Sequence, residues 1–176
     1  MKTVLHAWRG FAGMTLALAV VSAALAQEAS DVMVKRVANE VPLIVKSDPM
    51  VQAGNQQRIR EVIETKLLPN FDFEKMTALA MGRNWRQASP EQQKQLIDQF
   101  RALLVRTYSG ALSQYRDQVM DFKPMRGDPN ATDVMVRSEV IRPGQVPVQI
   151  DYGLTKTASG WKVSDVVVGG ISLVTN

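Results

Sequence analysis

The longest regular pattern of apolar positions in this chain runs from Ser89 to Tyr115 and has a helical period. Ser89, Pro90 and Gln92 provide an N-cap, a first-turn proline and the second half of a capping box. The apolar residues recur at three- and four-residue spacing and form one broad stripe, which comprises Leu96, Phe100, Leu103, Leu104, Ala111, Leu112 and Tyr115. The pattern predicts a long amphipathic helix whose stripe needs an apolar partner, either packed protein or an apolar ligand.

Three shorter segments ahead of this helix have the same period. They predict helices over Asp31–Lys46, about Asn55–Leu68 and Lys75–Met81. Pro42 is expected either to kink or to split the first of these helices, and Pro69 ends the second. The run Ser47-Asp48-Pro49 separates the two, while Asp72 and Gly82 are suited to cap the two ends of the third.

After Tyr115 the apolar residues alternate with polar ones, which is typical of strands. Four strands are predicted, over 118–123, 132–142, 146–156 and 161–168, with turns at 127–130, 143–144 and 159–160. Val166-Val167-Val168 lacks alternation and predicts a strand buried on both faces. The fold class is therefore α+β, with N-terminal helices packed on a curved, antiparallel four-stranded sheet.

The first 26 residues have the pattern of a cleavable secretory signal peptide. Lys2 and Arg9 form a basic head, an apolar run spans 11–21, and Ala24-Leu25-Ala26 supplies small residues for cleavage. A retained membrane anchor is the less favoured alternative, because the apolar core is short. We expect a single mature domain over 27–176, located beyond the inner membrane in the periplasm.

Composition excludes several classes of function. Removing Lys2 and Arg9 lowers the formal net charge from +4 to +2, and no dense basic run remains, which argues against nucleic acid as a partner. The chain has no cysteine, and its one histidine, His6, lies in the predicted signal peptide. Catalysis by Ser-His or Cys-His pairs, the usual zinc and copper sites, and disulfides are therefore not expected, and we predict no cofactor.

A carboxylate hydrolase is the strongest enzyme hypothesis that remains. Asp151 and Asp165 lie on predicted strands, but a glycosidase-like pair must flank a cleft at a fixed separation. The sequence has no metal-ligand spacing, and Gly169-Gly170 is not part of a phosphate-binding glycine motif. We therefore expect that the protein is not an enzyme.

An ordered set of short motifs covers essentially the whole mature chain. It comprises Leu67-Leu68-Pro69, Phe73, Met81-Gly82-Arg83-Asn84-Trp85, Ala88-Ser89-Pro90-Glu91-Gln92, Phe100, Leu104, Tyr108, Ala111-Leu112, Tyr115, Gly160-Trp161-Lys162-Val163, Asp165-Val166 and Gly170-Ile171-Ser172-Leu173-Val174. This set resembles the MlaC or toluene-tolerance family of periplasmic phospholipid-binding carriers. Members of that family usually continue past the position of Asn176 with a further helical segment, whereas this sequence ends there.

The resemblance implies a phospholipid ligand with its acyl tails between the helices and the sheet. It also implies two partners, an outer-membrane lipoprotein complex and an inner-membrane ABC transporter complex with an MCE-domain component. Traffic between them would maintain the lipid asymmetry of the outer membrane. The alternative is an adaptor that bridges the membrane complexes through its surface and binds no lipid.

Two groups of side chains are candidates for contact with lipid. The apolar candidates, for which ordinary core packing is the alternative, are Leu79, Met81, Phe100, Leu104, Tyr108, Val136, Val148, Ile150, Tyr152, Val166 and Val168. The basic candidates for phosphate or acidic partner surfaces, with a solvated surface as the alternative, are Arg83, Arg86, Arg101, Arg106, Arg116, Arg126, Arg137 and Arg142. Arg137 lies in the middle of a predicted strand, where Glu139 or Asp151 is an alternative partner.

Overall fold

Five α-helices precede the strands in the part of the chain that the structure describes. The computed structural model describes residues 27–113, 118–125, 128 and 130–175. Its helices are Ser30–Ser47 (α1), Pro49–Gln52 (α2), Gln56–Val62 (α3), Phe73–Met81 (α4) and Pro90–Ser113 (α5). A π-helical turn, Ile63–Leu67, and a 3₁₀ turn, Leu68–Asn70, follow α3, and a second 3₁₀ segment spans Gly82–Gln87. The predicted signal peptide, Tyr115, Arg116, Arg126, Asn176 and part of the predicted turn at 127–130 lie outside the described residues.

Polar side chains begin most of these helices by accepting backbone hydrogen bonds. The backbone N–H of Gln92 donates to Ser89 Oγ at 3.3 Å, and the N–H of Ser89 donates to Gln92 Oε1 at 2.8 Å. This reciprocal pair is the predicted capping box at the start of α5. Asp72 likewise accepts from the N–H of Lys75 at 2.9 Å and begins α4.

The structure corrects the sequence prediction at three places in the helical half. Pro42 lies inside a continuous α1 and does not split it. The run Ser47-Asp48-Pro49 ends α1 and also begins α2, because Asp48 accepts hydrogen bonds from Met50 and Val51 and Pro49 fits a first helical position. The predicted helix over 55–68 becomes a π-helical turn at Ile63.

Five antiparallel strands follow the helices in simple meander order. They are Val119–Phe122 (β1), Asp133–Ile141 (β2), Val148–Thr157 (β3), Gly160–Val168 (β4) and Ile171–Ser172 (β5). The α+β fold is confirmed, with a short fifth strand that the sequence pattern did not predict. Tyr152 pairs with Val136 on one side and Val166 on the other, so these three side chains share the sheet face toward the helices.

The valines at the end of β4 are only half-buried, so the predicted burial on both faces is wrong. Val166 and Val168 point toward the helices, while Val167 lies on the outer face opposite Asp151 and Ser172. That outer face also carries Arg137.

Two apolar clusters form the core. One lies among the helices and comprises Val41, Val45, Val51, Ile59, Val62 and Ile63; the other joins α1 to the sheet and comprises Met33, Val34, Val136, Leu154 and Val163. The backbone N–H of Asp72 donates to the carbonyl of Val163 at 2.9 Å, which ties the segment before α4 to β4. Within the described residues, no helix combines the length and hydropathy needed to cross a membrane.

Candidate functional site

An apolar cavity, cavity A, has a volume of about 260 Å³ and lies between the helices and the sheet. The helical side consists of Ile63, Leu67, Leu68, Phe71, Phe73, Met76, Leu104, Val105, Tyr108 and Ser109, and the sheet side consists of Ile150, Tyr152, Val166, Val168 and Leu173. Besides the Ser109 hydroxyl, the only polar side-chain groups in this described lining are the two tyrosine hydroxyls. An apolar chain could fill cavity A without meeting a charge.

A smaller cavity, cavity B, has a volume of about 210 Å³ and lies under α1. Its lining consists of Met33, Val34, Val37, Ala38, Val41, Pro42, Leu67, Asn70, Phe71, Met120, Tyr152 and Val163. Leu67, Phe71 and Tyr152 line both cavities, so these three side chains form a partition between them.

Each side chain of the partition belongs to a different segment of the backbone. Phe71 pairs with Val163 in an isolated parallel bridge, and its ring stacks on that of Phe73 at a centroid distance of 5.9 Å. Leu67 is the last residue of the π-helical turn. Tyr152 projects from β3 into the layer between sheet and helices.

Tyr152 contributes a neutral hydroxyl to this apolar region. Burial raises the pKa of Tyr152 to about 12, and a hydrogen bond with Ser138 opposes part of this rise. Ser138 is fully buried, and its Oγ donates to the carbonyl of Ile150 at 2.9 Å. The phenol therefore remains protonated at neutral pH and has a polar partner.

The arrangement of carboxylates does not support hydrolysis. Asp151 and Asp165 both lie on the outer face of the sheet, and neither lines cavity A or cavity B. Asp151 accepts from Gln149 at 2.8 Å, although its other oxygen, Oδ1, is buried without a hydrogen bond among the described residues. Asp165 accepts from the hydroxyl of Ser172 at 2.9 Å. The described residues contain no cluster of side chains that could hold a metal ion.

The structure brings together six of the eleven apolar candidates. The residues that line cavity A are Leu104, Tyr108, Ile150, Tyr152, Val166 and Val168. Val136 is instead fully buried in the core between α1 and the sheet. The other four, which line neither cavity, are Leu79 at the exposed end of α4, Met81, Phe100 one turn ahead of Leu104, and Val148 at the open end of β3. Contact with lipid stays a prediction for all eleven.

Sequence reasoning missed most of the helical side of both cavities. The α1 positions, among them Val34, Val37 and Val41, belong to a helical stripe that the sequence displays, so periodicity could have suggested them. Leu67, Phe71 and Phe73 lie in and around irregular turns, for which periodicity carries no signal.

The two carboxylates predicted as alternative partners of Arg137 contact other side chains instead. Glu139 accepts from Lys123 at 2.9 Å and Asp151 accepts from Gln149. Neither carboxylate forms an ion pair with Arg137 in the part of the chain that the structure describes.

Residues 35–176 match the family model described as MlaC protein. The chain belongs to the MlaC family. This confirms the resemblance that the motifs indicated, and it also confirms the expectation that the protein is not an enzyme.

One solved structure and two curated proteins are similar to this chain. A phospholipid-binding protein from Ralstonia solanacearum, solved in complex with a phospholipid, superimposes with a TM-score of 0.78 at 41% identity, over 84% of this chain and 82% of that chain. The intermembrane phospholipid transport system binding protein MlaC of Haemophilus influenzae is 24% identical over 90% of this chain and 75% of its own length. Toluene tolerance protein ttg2D of Pseudomonas putida is 28% identical over 50% of this chain and 40% of its own length.

Proposed function

We propose that this protein is a periplasmic phospholipid carrier and that acyl chains occupy cavities A and B. The observation that carries the proposal is the pair of apolar cavities between helices and sheet, in a fold shared at 41% identity with a protein solved in complex with a phospholipid. Leu104, Tyr108, Ile150, Val166 and Val168 would contact one chain in cavity A, and Tyr152 would contact chains on both sides.

Physical chemistry supports capture without specific polar contacts in the interior. Each buried CH₂ group contributes roughly 0.8 kcal/mol, so even part of an acyl chain supplies a large driving force. The two cavities together have a volume within the range of about 300–1,000 Å³ that is usual for ligand pockets. Movement of the three partition side chains would give a chain access to both.

The carrier would work as a shuttle between two membranes. A signal peptide over 1–26 would direct it to the periplasm, and a mature domain over 27–176 would hold the lipid. It would exchange lipid with an inner-membrane MCE-domain/ABC transporter complex and with an outer-membrane lipoprotein complex, and so maintain outer-membrane lipid asymmetry. The direction of net transport would come from the energy source of the partners, since a carrier alone only equilibrates its ligand.

Lipid extraction followed by mass spectrometry tests this function directly. The purified mature protein is expected to contain phospholipid, or to take it up from phospholipid vesicles after it has been stripped with detergent. A protein that neither contains nor takes up lipid would contradict the proposal and favour the adaptor hypothesis.

A pair of neighbouring leucines gives a matched mutational test. Leu104 lines cavity A, whereas Leu103 is 46% exposed on the same helix. We expect Leu104→Asp to lower lipid uptake about tenfold or more, because a carboxylate in an apolar cavity is poorly solvated, and Leu103→Asp to leave uptake unchanged. Tyr108→Asp serves as a second cavity variant, since Tyr108 is 44% exposed and its replacement perturbs folding less. Equal uptake by folded cavity and control variants would exclude cavity A as the binding site.

A further inference from the structure

A polar groove of about 470 Å³ lies between α3 and α5, directly beside cavity A. Leu68, Val105 and Ser109 line both the groove and the cavity. The groove and the cavity therefore adjoin at these residues, with an apolar lining on one side and a polar lining on the other. This change from an apolar to a polar lining matches the two halves of an amphipathic ligand.

Three arginines give the groove its positive charge. Arg60, Arg101 and Arg106 line it together with two acids, Glu64 and Asp98, which leaves one net positive charge. None of these five side chains forms an ion pair within the described part of the chain.

Arg58, on α3 like Arg60, is an arginine whose charge is already paired. It lies 2.7 Å from carboxylate oxygens of both Asp48 and Glu61, so its charge is already compensated. The groove arginines differ because their guanidinium groups have no such partner among the described residues, and they are therefore available to an anion.

Arg101 lies at the boundary between the groove and cavity A. Its Cζ is 5.8 Å from the centroid of the Phe73 ring, and Phe73 is part of the wall of cavity A. A cation over an aromatic face at this distance is attracted to it. The contact places a guanidinium group of the groove beside the wall of cavity A.

We propose that this groove binds the phosphate of a phospholipid headgroup whose acyl chain lies in cavity A. The inference rests on the proposed carrier function and adds a recognition site to it. Guanidinium groups pair well with phosphate oxygens. Arg101 and Arg106 are on α5, and Arg60 is on α3, so the groove has arginines from two different helices. Glu64 and Asp98 limit the net charge, which suits a ligand that must also be released.

The test compares two lipids with the same acyl chains. Phosphatidylglycerol has the phosphate, and diacylglycerol lacks it. For the Arg101→Gln/Arg106→Gln double variant, we expect uptake of phosphatidylglycerol from vesicles to fall about fivefold, as for exposed ion pairs, with uptake of diacylglycerol unchanged. Unchanged diacylglycerol uptake also demonstrates that the variant is folded, and the single variant Arg106→Gln is expected to show a smaller fall in the same direction.

The matched control is Lys94→Gln/Lys156→Gln, which removes two exposed positive charges outside the groove. The control is expected to take up both lipids like the wild type. Equal loss of phosphatidylglycerol uptake in control and groove variants would overturn the groove site and assign the effect to overall charge. Unchanged phosphatidylglycerol uptake in both variants would also overturn it, while the carrier function would stand.

Two further outcomes separate the possible sources of phosphate. Calorimetry with inorganic phosphate alone on lipid-stripped protein is expected to show binding far weaker than that of phosphatidylglycerol, because the acyl chains are missing. Binding of inorganic phosphate as tight as that of the lipid would make the groove a site for free phosphate and overturn the headgroup assignment. A wild-type protein that takes up neither lipid would contradict the carrier function itself, together with this inference.

Discussion

Leucines of this protein lie in three environments, and each environment gives the side chain a different role. Leu154 is 1% exposed and packs in the core between α1 and the sheet. Leu104 lines cavity A, so part of its surface has no protein neighbour. Leu79 is 42% exposed at the end of α4. The free energy lost on truncation should follow the number of packed neighbours, since dispersion contacts require atoms on every side.

Replacement of Leu154 by alanine should be strongly destabilising. We expect Leu154→Ala to lower the free energy of unfolding by about 3 kcal/mol, from lost transfer free energy plus the void it leaves. Leu79→Ala, the control, should change it by less than about 0.5 kcal/mol. Urea denaturation followed by circular dichroism measures both values, and similar losses in the two variants would contradict the assigned core.

At the scale of elements, helix starts and irregular turns have separate roles. The capping box begins α5 at a defined residue, which sets the positions along the helix at which Leu104 and Tyr108 lie. The π-helical turn after α3 has a different role, because it ends in Leu67, a member of the partition. Such turns occur often at functional sites, where a local change of pitch redirects side chains.

Loss of the cap on α5 should weaken the protein measurably. We expect Ser89→Ala to lower the free energy of unfolding by about 1 kcal/mol, because the backbone N–H of Gln92 loses its acceptor. Ser89→Thr keeps a hydroxyl acceptor and should retain most of the stability. Denaturant titration of the three proteins is the measurement. Equal stability of the alanine and threonine variants would show that the capping contact contributes nothing.

At the scale of the whole molecule, a few polar contacts connect the helical layer to the sheet around the cavities. Lys75 Nζ, on α4, lies 2.6 Å from Asp133 Oδ1 and from Thr155 Oγ1, on β2 and β3. Lys162, on β4, also donates to the backbone carbonyl of Pro69. These contacts hold the two layers in register while the space between them remains open.

The contact of α4 with the sheet should make stability depend on pH in the acid range. The hydrogen bond from Lys75 lowers the pKa of Asp133 below its ordinary value of 3.8. The pair therefore contributes its full stability above about pH 3.8 and loses it as the pH falls through the lowered pKa of the folded state. Because Asp133 is largely exposed, the contribution should be only about 0.5 kcal/mol.

Asp133→Asn should remove this part of the acid dependence. Free energies of unfolding of the wild type and the variant should differ above pH 3.8 and converge below it. Glu74→Gln is the control, since Glu74 is an exposed acid on α4, next to Lys75, and has no ion pair within the described residues. A constant difference between wild type and Asp133→Asn at all pH values would contradict the proposed linkage.

The fold was predictable where a single local signal decided the structure. The capping box at Ser89, the cap at Asp72 and the alternation along β2 and β3 each act within a few residues, and the structure has them at the predicted places. The same local rules did not predict α2, where Asp48 and Pro49 allow either a chain break or a new helix start.

For the candidate site, the sequence predicted only which side of each helix or strand a residue occupies. Period places Leu104, Val136, Val148 and Val166 on the inner sides of their elements, but it gives no information about depth. Packing decided that Val136 is core, that Val148 is at the open end of β3, and that Leu104 and Val166 border a cavity. How deeply a side chain is buried depends on neighbours that are distant in sequence, as when α1 packs on β2 and buries Val136.

The sequence by itself determined the four longer helices, the four longer strands and the absence of histidine and cysteine chemistry in the expected mature chain, because these follow from residue types and short-range spacing. Only the tertiary structure decided that the space between the layers divides into two cavities. The partition of Leu67, Phe71 and Tyr152 comes from a π-helical turn, an irregular segment and a strand, and no local pattern connects the three. Cavity shape depends on how imperfectly two layers pack, which is a property of the assembled fold.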